Sequence, residues 1–131
     1  MIDRRVMVAA LALAAGLAVS APAFAFESKP FDAETFAAAQ AAGKPILVEI
    51  TAPWCPTCKA QKPILSDLTQ KAKFKDLMVF EIDFDTQKDL LRKFSVSMQS
   101  TLISYKGARE VGRSTGDTNA SSIEAQLDKS I

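Results

Sequence analysis

The stretch "ILVEITAPWCPTCKAQKPIL", Ile46 to Leu65, decides how this chain is read. It carries the only two cysteines, Cys55 and Cys58, with Pro56 and Thr57 between them. Ile46 to Ile50 is a short apolar run suited to a buried strand, interrupted by Glu49. A helix-like segment follows, running from about Cys55 to Phe74 and kinked at Pro63, whose ring clashes with the preceding turn. The cysteine pair is open to three readings: a disulfide staple, half of a metal site, or a redox centre.

A staple stabilises by closing a loop in the unfolded chain, and a loop this short restricts very little. Zinc asks for about four ligands from cysteine, histidine or carboxylate. With 2 cysteines and no histidine, the chain completes no common structural site without a second subunit. A redox pair needs only what is present. At the start of a helix the Cys55 sulfur meets unpaired amides and the positive end of the dipole, which favour thiolate. Cys58, one turn further in, is near enough to bond to Cys55 and more buried. The outer sulfur then attacks a substrate disulfide and the inner one resolves the mixed disulfide. Pro56 suits the first helical turn, where its missing amide costs little.

The 131 residues suffice for one domain. Arg4 and Arg5, an apolar run from Val6 to Val19 and the box Ala23-Phe24-Ala25 read as a signal peptide over residues 1–25. No cysteine follows that run closely, which excludes a lipoprotein anchor. Residues 26–131 are then the mature domain, periplasmic or otherwise exported, where disulfides persist. Membrane association is expected only through an uncleaved signal. Removing Asp3, Arg4 and Arg5 takes 16 basic and 15 acidic residues to 14 of each. A net charge of zero gives no electrostatic basis for binding nucleic acid or an anionic membrane.

Along the mature chain, Asp32 caps a helix through the alanine-rich segment that ends at Gly43, with Phe31 and Phe36 as a hydrophobic staple. Leu77 to Phe84 reads as a strand. Thr86 to Phe94 reads as a helix capped by Asp85 or Thr86. Thr101 to Tyr105 reads as a strand that turns at Lys106-Gly107 into another, Glu110 to Ser114. The box Ser121-x-x-Glu124 opens a last helix that buries Ile123, Leu127 and Ile131. Lys71, Lys73 and Lys75 read as a solvated helix end. The order implies an α/β domain with a parallel pair, an antiparallel hairpin and helices on both faces.

"WCPTCK", with Pro63 five residues after the second cysteine and an apolar strand leading in, resembles the thioredoxin family. The resemblance extends over most of the mature chain. Trp54, Lys59 and Pro63 match the family's active-site tryptophan, lysine and kinking proline. "FEIDFD" matches its valine–aspartate strand, "FSVSMQSTLISYKG" the approach to its substrate loop, and Gly116 its late glycine. The Pro-Thr dipeptide is similar to that of exported thioredoxins of cytochrome c maturation, without that branch's insert. The resemblance implies a thioredoxin fold with a central mixed sheet of four strands, or five. It implies a thiol–disulfide oxidoreductase, more often reducing, that needs no cofactor beyond the Cys55–Cys58 disulfide. Its partners would be protein thiol and disulfide substrates and a redox partner protein, met as a monomer. Cys55 would be the nucleophile, Cys58 the resolving thiol, and Glu49 the proton acceptor for Cys58. Trp54, Pro56, Thr57, Gln99, Ser100 and Thr101 would line the substrate surface. A carboxylate inside "ILVEI" is costly to bury charged, so enclosure raises its pKa.

The chain departs from the family at one position. Aligned through "STLISY", the family's cis-proline falls on Ser100, and all 6 prolines lie at or before Pro63. A non-proline cis bond costs about 2.5–4 kcal/mol, so trans bonds are expected from Met98 to Thr101. Ser100→Pro is expected to restore the family geometry. The departure also keeps a second function in view: a thioredoxin-fold binding module holding a metal or iron–sulfur cluster between two chains through Cys55 and Cys58.

Overall fold

The computed structural model describes residues 28–131 and Gly16. The expected signal segment, residues 1–25, otherwise lies outside the described residues, as does Phe26. In chain order the elements are β1 (Lys29–Pro30), α1 (Ala33–Ala41), β2 (Pro45–Thr51), α2 (Pro56–Thr69), a 3-10 turn (Ala72–Phe74), β3 (Met78–Asp83), α3 (Lys88–Lys93), β4 (Thr101–Lys106), β5 (Arg109–Thr115) and α4 (Ala120–Asp128). The strands form one sheet in the order β1-β3-β2-β4-β5. β3 pairs in parallel with β1 and β2, while β4 runs antiparallel to β2 and β5. The fifth strand is β1, two residues that the sequence pattern does not mark because Pro30 interrupts any alternation.

Alternation along β2 sets the two layers. Ile46, Val48 and Ile50 pack with Phe36 and Ala39 of α1 and Leu91 of α3. Leu47 faces the other way, into Leu65 and Leu68 of α2 and Ile123 and Leu127 of α4. Glu49 belongs to this second face, and so lies under α2. On the first face Phe31 and Phe36 form the expected staple, their ring centroids 5.2 Å apart.

Five local expectations are corrected. α2 ends at Thr69 rather than Phe74, because Lys71 is extended (φ −67°, ψ 138°) and only a short 3-10 turn follows. α3 begins at Lys88, since Asp83 Oδ1 accepts the Asp85 and Thr86 amides and folds those residues into a turn. α4 is capped by Asn119, whose side chain accepts from the Ser122 amide at 3.0 Å, not by Ser121. Glu124 does not complete a capping box because Lys71 and Lys73 hold it, each at 2.8 Å. Those two lysines therefore join the segment after α2 to α4 instead of forming a merely solvated end. Ile131 is 45% exposed and lies outside the core.

Candidate active site

Cys55 is the N-cap of α2, with extended backbone (φ −83°, ψ 109°), and Pro56 opens the helix. Its Sγ is disulfide-bonded to Cys58, with the two Cα atoms 5.3 Å apart. The Cys58 amide donates to Cys55 Sγ at 3.1 Å, so the sulfur occupies the place of a capping oxygen. Both cysteines are buried, packed with Ala52 and Phe84. In this disulfide form Cys55 is enclosed along with Cys58: bonding to Cys58 and accepting its amide turn the sulfur inward. Cys58 Sγ stands 4.0 Å from the Ile50 carbonyl oxygen.

Glu49 precedes Ile50 and is 1% exposed. In register it stands beside Glu81 of β3 and Leu102 of β4. Ser28 Oγ lies 3.3 Å from Glu49 Oε2 and 3.1 Å from Glu81 Oε2. Glu49 Oε1 is buried with no partner among the described residues. The Glu49 pKa is raised, chiefly by burial; Lys62 opposes the shift, Glu81 reinforces it, and the Ser28 hydrogen bond weakly opposes it. Lys62 follows Cys58 by four residues and so shares its face of α2, and the Lys62 charge acts on Glu49.

The residues expected at the substrate surface divide into two groups. Trp54 is 54% exposed, Pro56 is exposed, and Thr57 and Gln99 are half-buried. Trp54 Nε1 donates to Asp85 Oδ2 at 2.8 Å, which fixes the indole against the loop after β3. Ser100 and Thr101 are buried instead, beneath that surface. Met98, 51% exposed, adds an apolar group that the sequence reading did not pick out.

The described residues contain no cis peptide bond, and Ser100 adopts a left-handed conformation at φ +59°. Its amide donates to the Ile50 carbonyl at 2.9 Å, and its hydroxyl donates to the Gln99 carbonyl at 2.6 Å. Gln61 Nε2 donates to the Ser100 and Asp117 carbonyls at 3.2 and 2.9 Å. Thus a buried α2 glutamine secures the loop facing the disulfide. Its signal in the sequence is a polar residue on the helix face shared by Cys58 and Leu65. Asp85 and Ser28 carry no comparable signal, since each acts across a long sequence gap. Among the described residues no group of three or more histidine, cysteine, aspartate or glutamate side chains could hold a metal ion.

The thioredoxin family model matches residues 27–129. The crystal structure of Trxlp from Edwardsiella tarda superposes with a TM-score of 0.74 at 44% identity, over 77% of this chain and 98% of that one. Thioredoxin from Mycobacterium tuberculosis is 35% identical over 85 residues, 64% of this chain and 72% of its own length. The bifunctional thioredoxin reductase/thioredoxin of Mycobacterium leprae is 34% identical over 85 residues, 65% of this chain but 18% of its own length. With its disulfide at the start of α2 and its five-stranded mixed sheet, the chain belongs to the thioredoxin family of thiol–disulfide oxidoreductases.

Proposed function

We propose that this thioredoxin-family protein is exported and reduces disulfides in protein substrates, with Cys55 as nucleophile, Cys58 as resolving thiol and Glu49 as proton acceptor. The observation that carries the reading is Glu49, a carboxylate enclosed under the face of α2 that bears Cys58, with one oxygen unpartnered. In the reduced protein the Cys55 thiolate attacks a substrate disulfide, forming a mixed disulfide and expelling one substrate thiolate. Glu49 accepts the proton of Cys58. The Cys58 thiolate then attacks Cys55 Sγ, closing the intramolecular disulfide and expelling the second substrate thiolate. Two electrons pass from the cysteine pair to the substrate. A redox partner protein returns them.

Substrate would approach across Trp54, Pro56, Thr57, Met98 and Gln99, with Ser100 and Thr101 shaping the loop from beneath. Export rests on the charged start, apolar run and Ala23-Phe24-Ala25 box of the sequence. The reducing direction rests on the chain's lack of histidine: no imidazolium adds to the helix start in stabilising the Cys55 thiolate, and a less stabilised reduced form makes a stronger reductant. The reduction potential is therefore expected near the about −270 mV of thioredoxins rather than the about −120 mV of strong oxidants. Equilibration against glutathione measures it, and a value at the oxidising end reverses the direction. Alkylation of reduced protein should label Cys55 first, and Cys58→Ala should accumulate mixed disulfides. Preferential labelling of Cys58 would exchange the two roles.

A further inference from the structure

Ser28, just ahead of β1, holds one hydroxyl between two carboxylates, 3.3 Å from Glu49 Oε2 and 3.1 Å from Glu81 Oε2. A hydroxyl has a single proton to donate. If both carboxylates were ionised, one of these contacts would set an acceptor against an acceptor. Register places Glu49 and Glu81 side by side on one sheet face, where two like charges repel. One proton shared across the group resolves both conflicts. Glu49 is the enclosed member, whereas the Glu81 side chain is 35% exposed with Lys62 Nζ at 3.9 Å. The proton therefore sits on Glu49, which donates to Ser28 Oγ, and Ser28 donates to Glu81.

We propose that Ser28 is a positioning residue that relays the proton of Cys58 from Glu49 to Glu81 and so to solvent. The proposal rests on Glu49 being the base for Cys58. Once Glu49 has taken that proton it is a neutral acid that returns it readily to the Cys58 thiolate, so passing the proton onward is what commits Cys58 to attack. As Glu49 releases its proton to Ser28 Oγ, the Ser28 hydroxyl proton passes to Glu81. Water then takes it from Glu81, and rotation of the hydroxyl resets the chain. No atom or charge is left over. The charged and polar groups acting on Glu49 are Glu81 from β3, Lys62 from α2, and Ser28; its β4 neighbour, Leu102, is apolar. When Glu49 is ionised the Ser28 hydroxyl turns to donate to it and opposes the rise in its pKa, so losing that donor moves the pKa further up.

The test is stopped-flow reaction of the reduced protein with a symmetric aromatic disulfide whose thiol is coloured. The first coloured thiol released reports attack by Cys55, and the second reports attack by Cys58. In Ser28→Ala the second release should slow about tenfold near neutral pH, the size of one lost hydrogen bond. Its pH profile should move to higher pH, with the first release unchanged. Ser28→Thr, which keeps the hydroxyl, should restore both rate and profile. A serine that only anchors β1 would lower the melting temperature of Ser28→Ala and leave the second release as in the parent, which overturns the relay. Glu49→Gln separates the two claims. If it flattens the pH profile while Ser28→Ala does nothing, the relay fails and Glu49 remains the base. If Glu49→Gln itself leaves the profile unchanged, the base assignment fails and takes the relay with it.

Discussion

Glu49 is enclosed between the sheet and α2, and burial raises its pKa above the ordinary 4.5. The folded protein thus holds this proton more tightly than the unfolded chain does. The stability this contributes is complete below the unfolded value and is lost as pH rises through the folded one. The urea midpoint of the oxidised protein should therefore decline from 4.5 upward, and Glu49→Gln should remove that part of the decline. A parallel decline in parent and variant would assign it to another group. Ser100 shows how one residue can reverse an expectation. The sequence reading expects Ser100→Pro to restore the family geometry, yet Ser100 sits at φ +59° and donates its amide to Ile50 at 2.9 Å. Proline is locked near −65° and has no amide to donate, so the substitution should cost about 3 kcal/mol. Ser100→Gly, free at positive φ, should unfold close to the parent. Parental stability in Ser100→Pro would mean that the loop readily adopts another conformation.

Among the elements, legibility followed the range of the interactions. β2, α1 and the hairpin of β4 and β5 were readable because alternation, the Asp32 cap and the Lys106-Gly107 turn act within a few residues. The end of α2 is not legible because Lys71 and Lys73 reach Glu124 across 53 and 51 positions, a pairing that no local pattern announces, while at α4 Asn119 takes the capping place ahead of the Ser121 box. The same holds within the site. Cys55 and Cys58 are marked by their spacing and Glu49 by the family resemblance, whereas Ser28 and Gln61 become partners only once the sheet and loops are assembled. Gln126 of α4 is another such long-range partner, donating to Leu102 O at 2.9 Å and Ser104 Oγ at 3.2 Å. A Cβ on Gly112 of β5 would lie 2.8 Å from its Cγ. Alanine in a strand ordinarily stabilises relative to glycine. Here Gln126 would have to give up its bonds, so Gly112→Ala should cost about 1–3 kcal/mol in urea unfolding. A gain in stability would show that Gln126 moves aside freely.

At the scale of the whole molecule, the chain just beyond the expected cleavage point contributes to both fold and site. β1 pairs Lys29 with Phe80 and Pro30 with Glu81, and the Phe31 amide donates to the Glu81 carbonyl at 2.9 Å. Phe31 itself packs against Phe36, Phe80 and Phe94. Cleavage after Ala25 leaves Ser28, β1 and this aromatic cluster on the mature protein, whereas removal of five further residues leaves only the cluster. Mass spectrometry of the exported protein should accordingly find Phe26 at the amino terminus. A chain begun at Phe31 should still fold, because Phe31 keeps its aromatic contacts, but with about 1–2 kcal/mol less stability from the lost strand pairing. Its Cys58 step should match that of Ser28→Ala, since both lack the same hydroxyl. Equal stability in the two chains would mean that β1 adds nothing to the sheet, and an unfolded shorter chain would make β1 a requirement of the fold. A processed protein lacking Ser28 would separate export from the proton path, because the exported form would then work without it.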